Sequence, residues 1–332
     1  MGLNKKIFVG LALAILPVLS VASAQAVSGP SLPDGQHIFA VEQTPSQVWS
    51  VSPDDATSTP IGSHSDTIPG YIQYFAVNPV DGLMYAIEST NDARYVDSVD
   101  TETGVITRIH TVDGATNDEV LSAMVFDGKG NAYLVSRDNR FYDLFLNSLN
   151  LVTGDTARIG DLGAVFDGLL AYRAEDDTVY HYANDGTAYT VNMATAVQTP
   201  TPEHNLTLAE QYLCADANHG LGVIAGAFDA DSNLWFTNNA CNAELLVADF
   251  ATGTVSFRGV LTDGGHTVKT NAPYQYFTDG VVITGQKILP SEPTLAKTGS
   301  NPTAAVIAGL FGLVVVGAGA RLLISSRKLK RS

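Results

Sequence analysis

Five times along the chain, a turn-rich cluster of Asp, Gly or Asn is followed by an apolar residue and then an aromatic. The copies are Gly35-Gln36-His37-Ile38-Phe39, Asp81-Gly82-Leu83-Met84-Tyr85, Lys129-Gly130-Asn131-Ala132-Tyr133, Asp176-Asp177-Thr178-Val179-Tyr180 and Asp231-Ser232-Asn233-Leu234-Trp235. Their aromatics are spaced by 46, 48, 47 and 55 residues. A unit repeated at such a period cannot bury its apolar face alone, so neighbouring units must stack. A second motif follows each aromatic in register. Asp100-Thr101-Glu102-Thr103-Gly104 leads into Val105-Ile106-Thr107-Arg108-Ile109, and Leu151-Val152-Thr153-Gly154 leads into Asp155-Thr156-Ala157-Arg158-Ile159. Asp249-Phe250-Ala251-Thr252-Gly253 does the same before Thr254-Val255, with weaker copies at Pro53-Asp54-Asp55-Ala56 and Asn192-Met193-Ala194-Thr195. Thr-Gly flanked by β-branched residues is a hairpin signal.

Each period therefore predicts four short strands, and four strands every 40–50 residues or so is the pattern of a β-propeller. A solenoid is the rival, but its repeats are usually shorter and stack linearly. The expected fold class is all-β: a propeller of about five four-stranded blades closed by a C-terminal strand, with a signal helix before it and a transmembrane helix after it. The first copy lacks an inner strand, and Tyr274-Gln275-Tyr276-Phe277-Thr278 resembles Tyr71-Ile72-Gln73-Tyr74-Phe75 of the second. That spare strand is expected to complete the first blade and remove an open sheet edge. A sixth blade would need a degenerate copy hidden near residues 201–222. The expected domains are a signal peptide at 1–26, the propeller at 27–286, a linker at 287–299, and a hydrophobic helix with a basic tail at 300–332.

The two ends read as addresses. Lys5 and Lys6 precede a short apolar run at 7–20, and Ala22-Ser23-Ala24 and Ala24-Gln25-Ala26 offer small residues for a signal peptidase. The run is too short and too interrupted by Pro17 to span a bilayer comfortably. At the other end, Leu295-Ala296-Lys297-Thr298-Gly299 precedes an uncharged stretch at 304–320 and then Arg321, Arg327, Lys328, Lys330 and Arg331. Read plainly, this is a single-pass anchor with its basic end in the cytoplasm. The three-part tail resembles the cell-wall sorting signal of Gram-positive surface proteins. Ala296 stands where the usual pentapeptide has Pro, like the Leu-Ala-x-Thr-Gly variant of high-GC actinobacteria. The resemblance implies that a sortase cuts between Thr298 and Gly299 and joins Thr298 to the peptidoglycan cross-bridge. Sortase and peptidoglycan are then partners, with the membrane holding the precursor.

Charge gains meaning once the ends are separated. The chain of 332 residues carries 34 acids against 18 bases, a net −16. Seven of those bases and none of the acids lie in the segments that processing would discard. Residues 27–298 thus hold 34 acids against 11 bases, a net −23. An apolar fraction of 45% argues against a disordered chain, two cysteines against a disulfide scaffold, and the acidic balance against nucleic acid as a partner.

Candidate chemistry is sparse. Aligning the copies on the aromatic places Asp167 beside Ile72, Val120 and Gly222 at the start of the inner strands, where it is a candidate channel-lining acid. A glycosidase needs two facing carboxylates, and this alignment supplies one. The seven histidines form no HExxH pair, no GxSxG elbow occurs, and Gly220-Leu221-Gly222 lacks a strand–turn–helix context. Asp229, Asp231 and Asn233 alternate like the start of a calcium loop, but the Gly and Glu that would complete it are missing. They also fall where the other repeats have an ordinary turn, so no cofactor is expected beyond that calcium alternative. Cys214 and Cys241 are expected to form a disulfide, the alternative being two buried thiols. Asn205-Leu206-Thr207 matches a glycosylation acceptor, a match without weight in a bacterium.

The leading functional expectation is a wall-anchored surface protein whose propeller binds or displays a protein or glycan ligand, without enzymatic activity. A surface-held enzyme acting on polysaccharide or peptide is the rival, and a purely structural wall component is the third reading. An enzyme should bring two carboxylates together in the channel, whereas a binding module should expose an apolar patch on one face.

Overall fold

A computed structural model describes residues 29–43, 46–62, 70–114, 116, 119–138, 143–163, 168–208, 223–238, 244–263, 266–267 and 277–284. The sorting pentapeptide, Cys214, Cys241, Asp167 and both apolar terminal segments lie outside these residues. Among the described residues no helix is long and apolar enough to cross a membrane.

The architecture is all-β and β-propeller-like. Antiparallel pairing groups the strands into quartets. The first contains β1 (His37–Gln43), β2 (Ser46–Val51) and β3 (Thr57–Ile61), with β23 (Phe277–Thr284) added on the inner side of β1. The second is β4 (Tyr71–Val77), β5 (Met84–Ser89), β6 (Arg94–Val99) and β7 (Ile106–Gly114). The third is β8 (Val120–Phe126), β9 (Ala132–Arg137), β10 (Leu144–Leu149) and β11 (Asp155–Gly163). Next come β12 (Gly168–Arg173), β13 (Thr178–Ala183), β14 (Ala188–Val191) and β15 (Gln198–Pro200). The last quartet is β17 (Val223–Phe228), β18 (Leu234–Asn238), β19 (Glu244–Ala248) and β20 (Thr254–Val260). The inner strands touch in the order β23, β4, β8, β12, β17, and β17 returns to β23, so the circuit closes.

Outer edges are joined by two-residue parallel bridges. The end of β7 pairs with the start of β11, which unites two quartets into one eight-stranded sheet whose terminal strands β4 and β8 meet. Likewise β16 (Thr207–Leu208) pairs with β20, and β21 (Thr262–Asp263), which also pairs with β22 (His266–Thr267), pairs with β3. Each bridge gives unpaired backbone groups a partner and blunts an edge that would otherwise recruit another chain.

The core is distributed between quartets rather than gathered at one centre. Phe39, Val41 and Val48 meet Ile72, Met84 and Val99 between the first and second. Ile87, Val96 and Val112 meet Leu121, Phe126 and Leu134 between the second and third. Two more layers join Leu146 to Val179, and Tyr182 to Phe236, and a further one sets Trp235 and Val247 against Ile38 and Trp49. Period-2 alternation deals successive residues to opposite layers: on β18, Leu234 and Phe236 face one neighbour while Trp235 faces the other. Strands buried on both faces therefore read as continuous apolar runs. Fully burying a side chain such as Phe236 stabilises by about 1.5–3 kcal/mol.

The Thr-Gly hairpins share one geometry. Asp100 Oδ1 accepts the N–H groups of Glu102 and Thr103, and Asn150 Oδ1 those of Val152 and Thr153. The last turn residue is left-handed in each: Ala56 (φ 60°), Gly104 (72°), Gly154 (83°), Ala196 (61°) and Gly253 (66°). Glycine is required where the preceding quartet approaches closely, since a Cβ on Gly154 would lie 2.0 Å from the Thr111 carbonyl oxygen and 3.2 Å from His110 Cβ. Alanine is tolerated where that neighbour is itself glycine, as Ala196 beside Gly160 and Ala56 beside Gly259.

Two sequence expectations shift in detail. The described closing strand is Phe277–Thr284, which overlaps the expected segment at 277–278 and continues beyond it, so that Ile283 fills the layer with Ile38 and Trp49; residues 274–276 lie outside the described residues. The inner-strand alignment moves by one residue in the second quartet. Gly168 opposes Ala183 as Ile72 opposes Glu88 and Leu121 opposes Ser136, so Tyr71 rather than Ile72 corresponds to Asp167. The 78–83 turn is one residue longer than its 127–131 counterpart, which misplaces an alignment anchored on the aromatic.

Candidate functional site

The repeated turn that precedes each aromatic is built around a carboxylate. Asp127 Oδ1 accepts the N–H groups of Lys129 and Asn131, while its Oδ2 accepts Asn131 Nδ2–H at 2.8 Å and the Tyr133 hydroxyl at 3.1 Å. Asp229 does the same with the N–H groups of Asp231 and Asn233, the Asn233 amide, and Trp235 Nε1–H at 2.9 Å. Tyr85 donates to Asp81 and Tyr180 to Asp176. The motif aromatic is thus tied back to the acid of its own turn. Burial pushes the Asp229 carboxyl up, and these donors pull against that shift. In the structure Asp229, Asp231 and Asn233 come together as this N–H-saturated turn. Asp231 is exposed and Asn233 contributes a donor, which is turn chemistry rather than a shell of free oxygens.

These turns meet around the axis. A Cβ on Gly130 would touch Asn78 Oδ1 and Val80, and one on Gly128 would strike the Tyr172 ring and Asp177. Tyr172 donates to Asp177 at 3.1 Å, Ser232 donates to Glu175 at 2.8 Å, and Ala230 N–H reaches Gln36 Oε1 at 3.0 Å. The result is a continuous rim of short, mutually braced turns at one end of the ring.

Within the rim, the C-terminal halves of the inner strands line an axial cavity. Its walls include Phe75, Val77, Pro79, Phe126, Leu170, Tyr172, Ala227 and Ile283, and no carboxylate is among the described lining residues. Val77, Pro79 and Tyr172 are half-buried, and the chain continues from Pro79 into exposed Val80 and Leu83 (54% and 53% exposed). The four inner turns carry seven carboxylates, Asp81, Asp127, Glu175, Asp176, Asp177, Asp229 and Asp231, against Lys129 and Arg173. Arg173 is already paired with Glu175 and Asp176 and lies over the Phe250 ring at 4.1 Å. The described cavity thus has an apolar centre inside an acidic rim.

The strongest buried polar group lies elsewhere and was not anticipated. On the face of the second quartet toward the first, Glu88 accepts both Arg108 Nε–H at 3.1 Å and Nη2–H at 2.6 Å, and Gly70 N–H at 2.9 Å. Asp97, directly across from Arg108, is fully buried and neither of its oxygens has a hydrogen-bond partner. Desolvation, reinforced by Glu88 and opposed by Arg108, raises its pKa to about 7. Two acids share one cation there, within the blade rather than in the cavity. The signal was available in the repeats, since Arg108 and Arg158 occupy the same register and Asp97 aligns with Asn147.

No protein-family model and no curated protein sequence matches the chain. Solved structures similar to it include a chain of the nidogen/laminin complex, at 13% identity and a TM-score of 0.46, covering 75% of this chain and 98% of that one. A calcium-binding protein, regucalcin, from Agrobacterium tumefaciens strain C58 aligns at 11% identity and a TM-score of 0.36, over 62% of this chain and 64% of the other. A luciferin-regenerating enzyme aligns at 13% identity and 0.39, over 70% and 75% respectively. They include a protein seen in a binding complex and an enzyme. At this level of likeness none of them assigns an activity to this chain.

Proposed function

We propose that the chain is an exported surface protein whose strand circuit is a five-bladed propeller serving as a binding or display module for a protein or glycan ligand. The observation that carries this reading is the axial cavity, whose described walls are apolar and whose rim exposes Val80 and Leu83. Hydrolysis of a glycan would call for two carboxylates facing each other across such a site. The blade count is supported by five inner strands in cyclic contact and by the antiparallel quartets built on them.

Location rests on the sequence. The leader at 1–26 directs export, and the Leu295-Ala296-Lys297-Thr298-Gly299 motif with its apolar stretch and basic end is read as a sortase substrate. Thr298 is then linked to peptidoglycan, and residues 299–332 stay behind in the membrane. Mass spectrometry of wall digests tests this: a Thr298-terminated peptide bearing cross-bridge atoms is expected, and recovery of the intact Arg331-containing tail from membranes overturns it. A screen of protein and glycan ligands against the processed chain tests the binding role. Retention of a ligand without chemical change is expected, and turnover of any of them sinks the non-enzymatic reading.

A further inference from the structure

Resting on the binding-module reading, we propose that the turn-bearing end of the ring docks a basic segment of another protein, one apolar side chain of which enters the axial cavity beside Val77, Pro79 and Tyr172. Three observations converge on this end. The exposed large apolar residues among those described, Val80, Leu83, Val105, Val152 and Val197, all lie on its turns. Val80 follows the cavity-wall residue Pro79 directly in the chain, and it and Leu83 of the same turn are exposed, so apolar surface lies on the turn that borders the cavity. The rim around it is acidic, and the outer hairpin turns add Asp54, Asp55, Asp100, Glu102 and Asp249 with no base. A desolvated apolar centre with a charged rim is the usual anatomy of a recognition surface, and the sign of the rim selects the partner.

The chemistry favours a cationic polypeptide over other occupants. A second copy of this chain would bring acid against acid, which costs association rather than favouring it. A bare metal ion is poorly served, because carboxylates such as Asp127 and Asp229 already accept four N–H or O–H donors each. Those acids contribute a field rather than empty ligand positions, and a field attracts Lys and Arg side chains from a distance. The braced turns also mean that little ordering is needed on binding, which lowers the cost of docking.

The test uses the full chain in detergent micelles and a peptide of alternating Lys and Leu carrying one photoreactive Leu. Cross-links mapped by mass spectrometry are expected on 77–83 and on Tyr172. Substituting Val80→Ser together with Leu83→Ser is expected to weaken peptide binding roughly tenfold, the scale of losing an apolar anchor at an interface. A peptide with Glu in place of Lys is expected not to bind. Cross-links elsewhere, no cross-links, or indifference to the double substitution overturns the proposal. So does binding that appears only after residues 321–331 are removed, which would make the chain's own basic tail the occupant. A ligand from the wider screen that ignores Val80 and Leu83 overturns this site while leaving the binding-module reading intact; an empty screen removes that reading itself.

Discussion

The second and third quartets present the same slot with different chemistry. In the third, Asn147 donates to Ser136 Oγ at 2.8 Å and to the Phe145 carbonyl at 3.2 Å, and Arg158 lies over the Phe145 ring. The Glu119 carboxylate, reaching in from just before β8, accepts from both Ser136 and Arg158. In the second, Glu88 replaces Ser136, Asp97 replaces Asn147, and Arg108 lies over the Tyr95 ring 3.5 Å away. One register therefore holds either an amide that satisfies its neighbours or an acid that faces another acid. The amide is neutral at every pH. The acid must either keep a proton or leave a buried charge uncompensated, and burial makes the second option costly.

Removing the shared arginine should separate the two quartets most widely. Arg108→Met leaves two buried carboxylates without a cation, and urea unfolding is expected to show a loss of about 3–5 kcal/mol. Arg158→Met should cost clearly less, because Glu119 is 14% exposed and can turn to water. Equal losses at the two sites would refute the distinction between the quartets.

The proton on Asp97 gives the next effect. With its pKa raised to about 7, the folded chain keeps a proton that the unfolded chain releases near the usual 3.8. The folded state then binds more protons between about pH 4 and 7, so this group's contribution to stability falls as pH rises across that window. Asp97→Asn should abolish that slope and raise stability at pH 8 by a few kcal/mol, since each tenfold change in proton affinity is worth ~1.4 kcal/mol. Thermal melts of both proteins from pH 4 to 8 check it; parallel curves would show that Asp97 does not titrate there.

A smaller contrast lies at the outer edges, where the second quartet has His110 and the third has Gly160 at matching positions. Gly154→Ala, against His110 and the Thr111 carbonyl, is expected to destabilise by about 1–3 kcal/mol through backbone strain and overpacking. Ala196→Gly, beside Gly160, should change stability by less than about 1 kcal/mol. Urea midpoints of the two variants measure the difference, and a harmless Gly154→Ala would remove close approach as the reason for glycine there.

Much of the framework was legible in the chain because it depends on local chemistry repeated in register. The acid–aromatic turns announce themselves at 81–85, 129–133 and 231–235, and the Thr-Gly hairpins at 100–104 and 150–154. The need for a strand from the C-terminal region also followed from the incomplete first copy. Its register did not, since pairing of β23 with β1 is set by which residue fills the layer containing Ile38 and Trp49. The axial cavity was hidden for a related reason: Pro79 and Tyr172 lie far apart in the chain and meet only in its wall.

The calcium-like spacing of Asp229, Asp231 and Asn233 shows how far spacing carries. It establishes that oxygens recur, but the direction of each N–H decides whether those oxygens are free, and here the turn consumes the Asp229 pair. An all-β repeat, an acidic body between two apolar ends, and turns punctuated by Asp, Gly and Thr are all visible in the chain alone, because hydrophobic period and turn chemistry are local properties. The meeting of Asp97 and Glu88 around one arginine, and the apolar wall that the inner strands build about a single axis, arise only on folding. Those are contacts across strands and quartets, where burial rather than neighbourhood along the chain sets the energy.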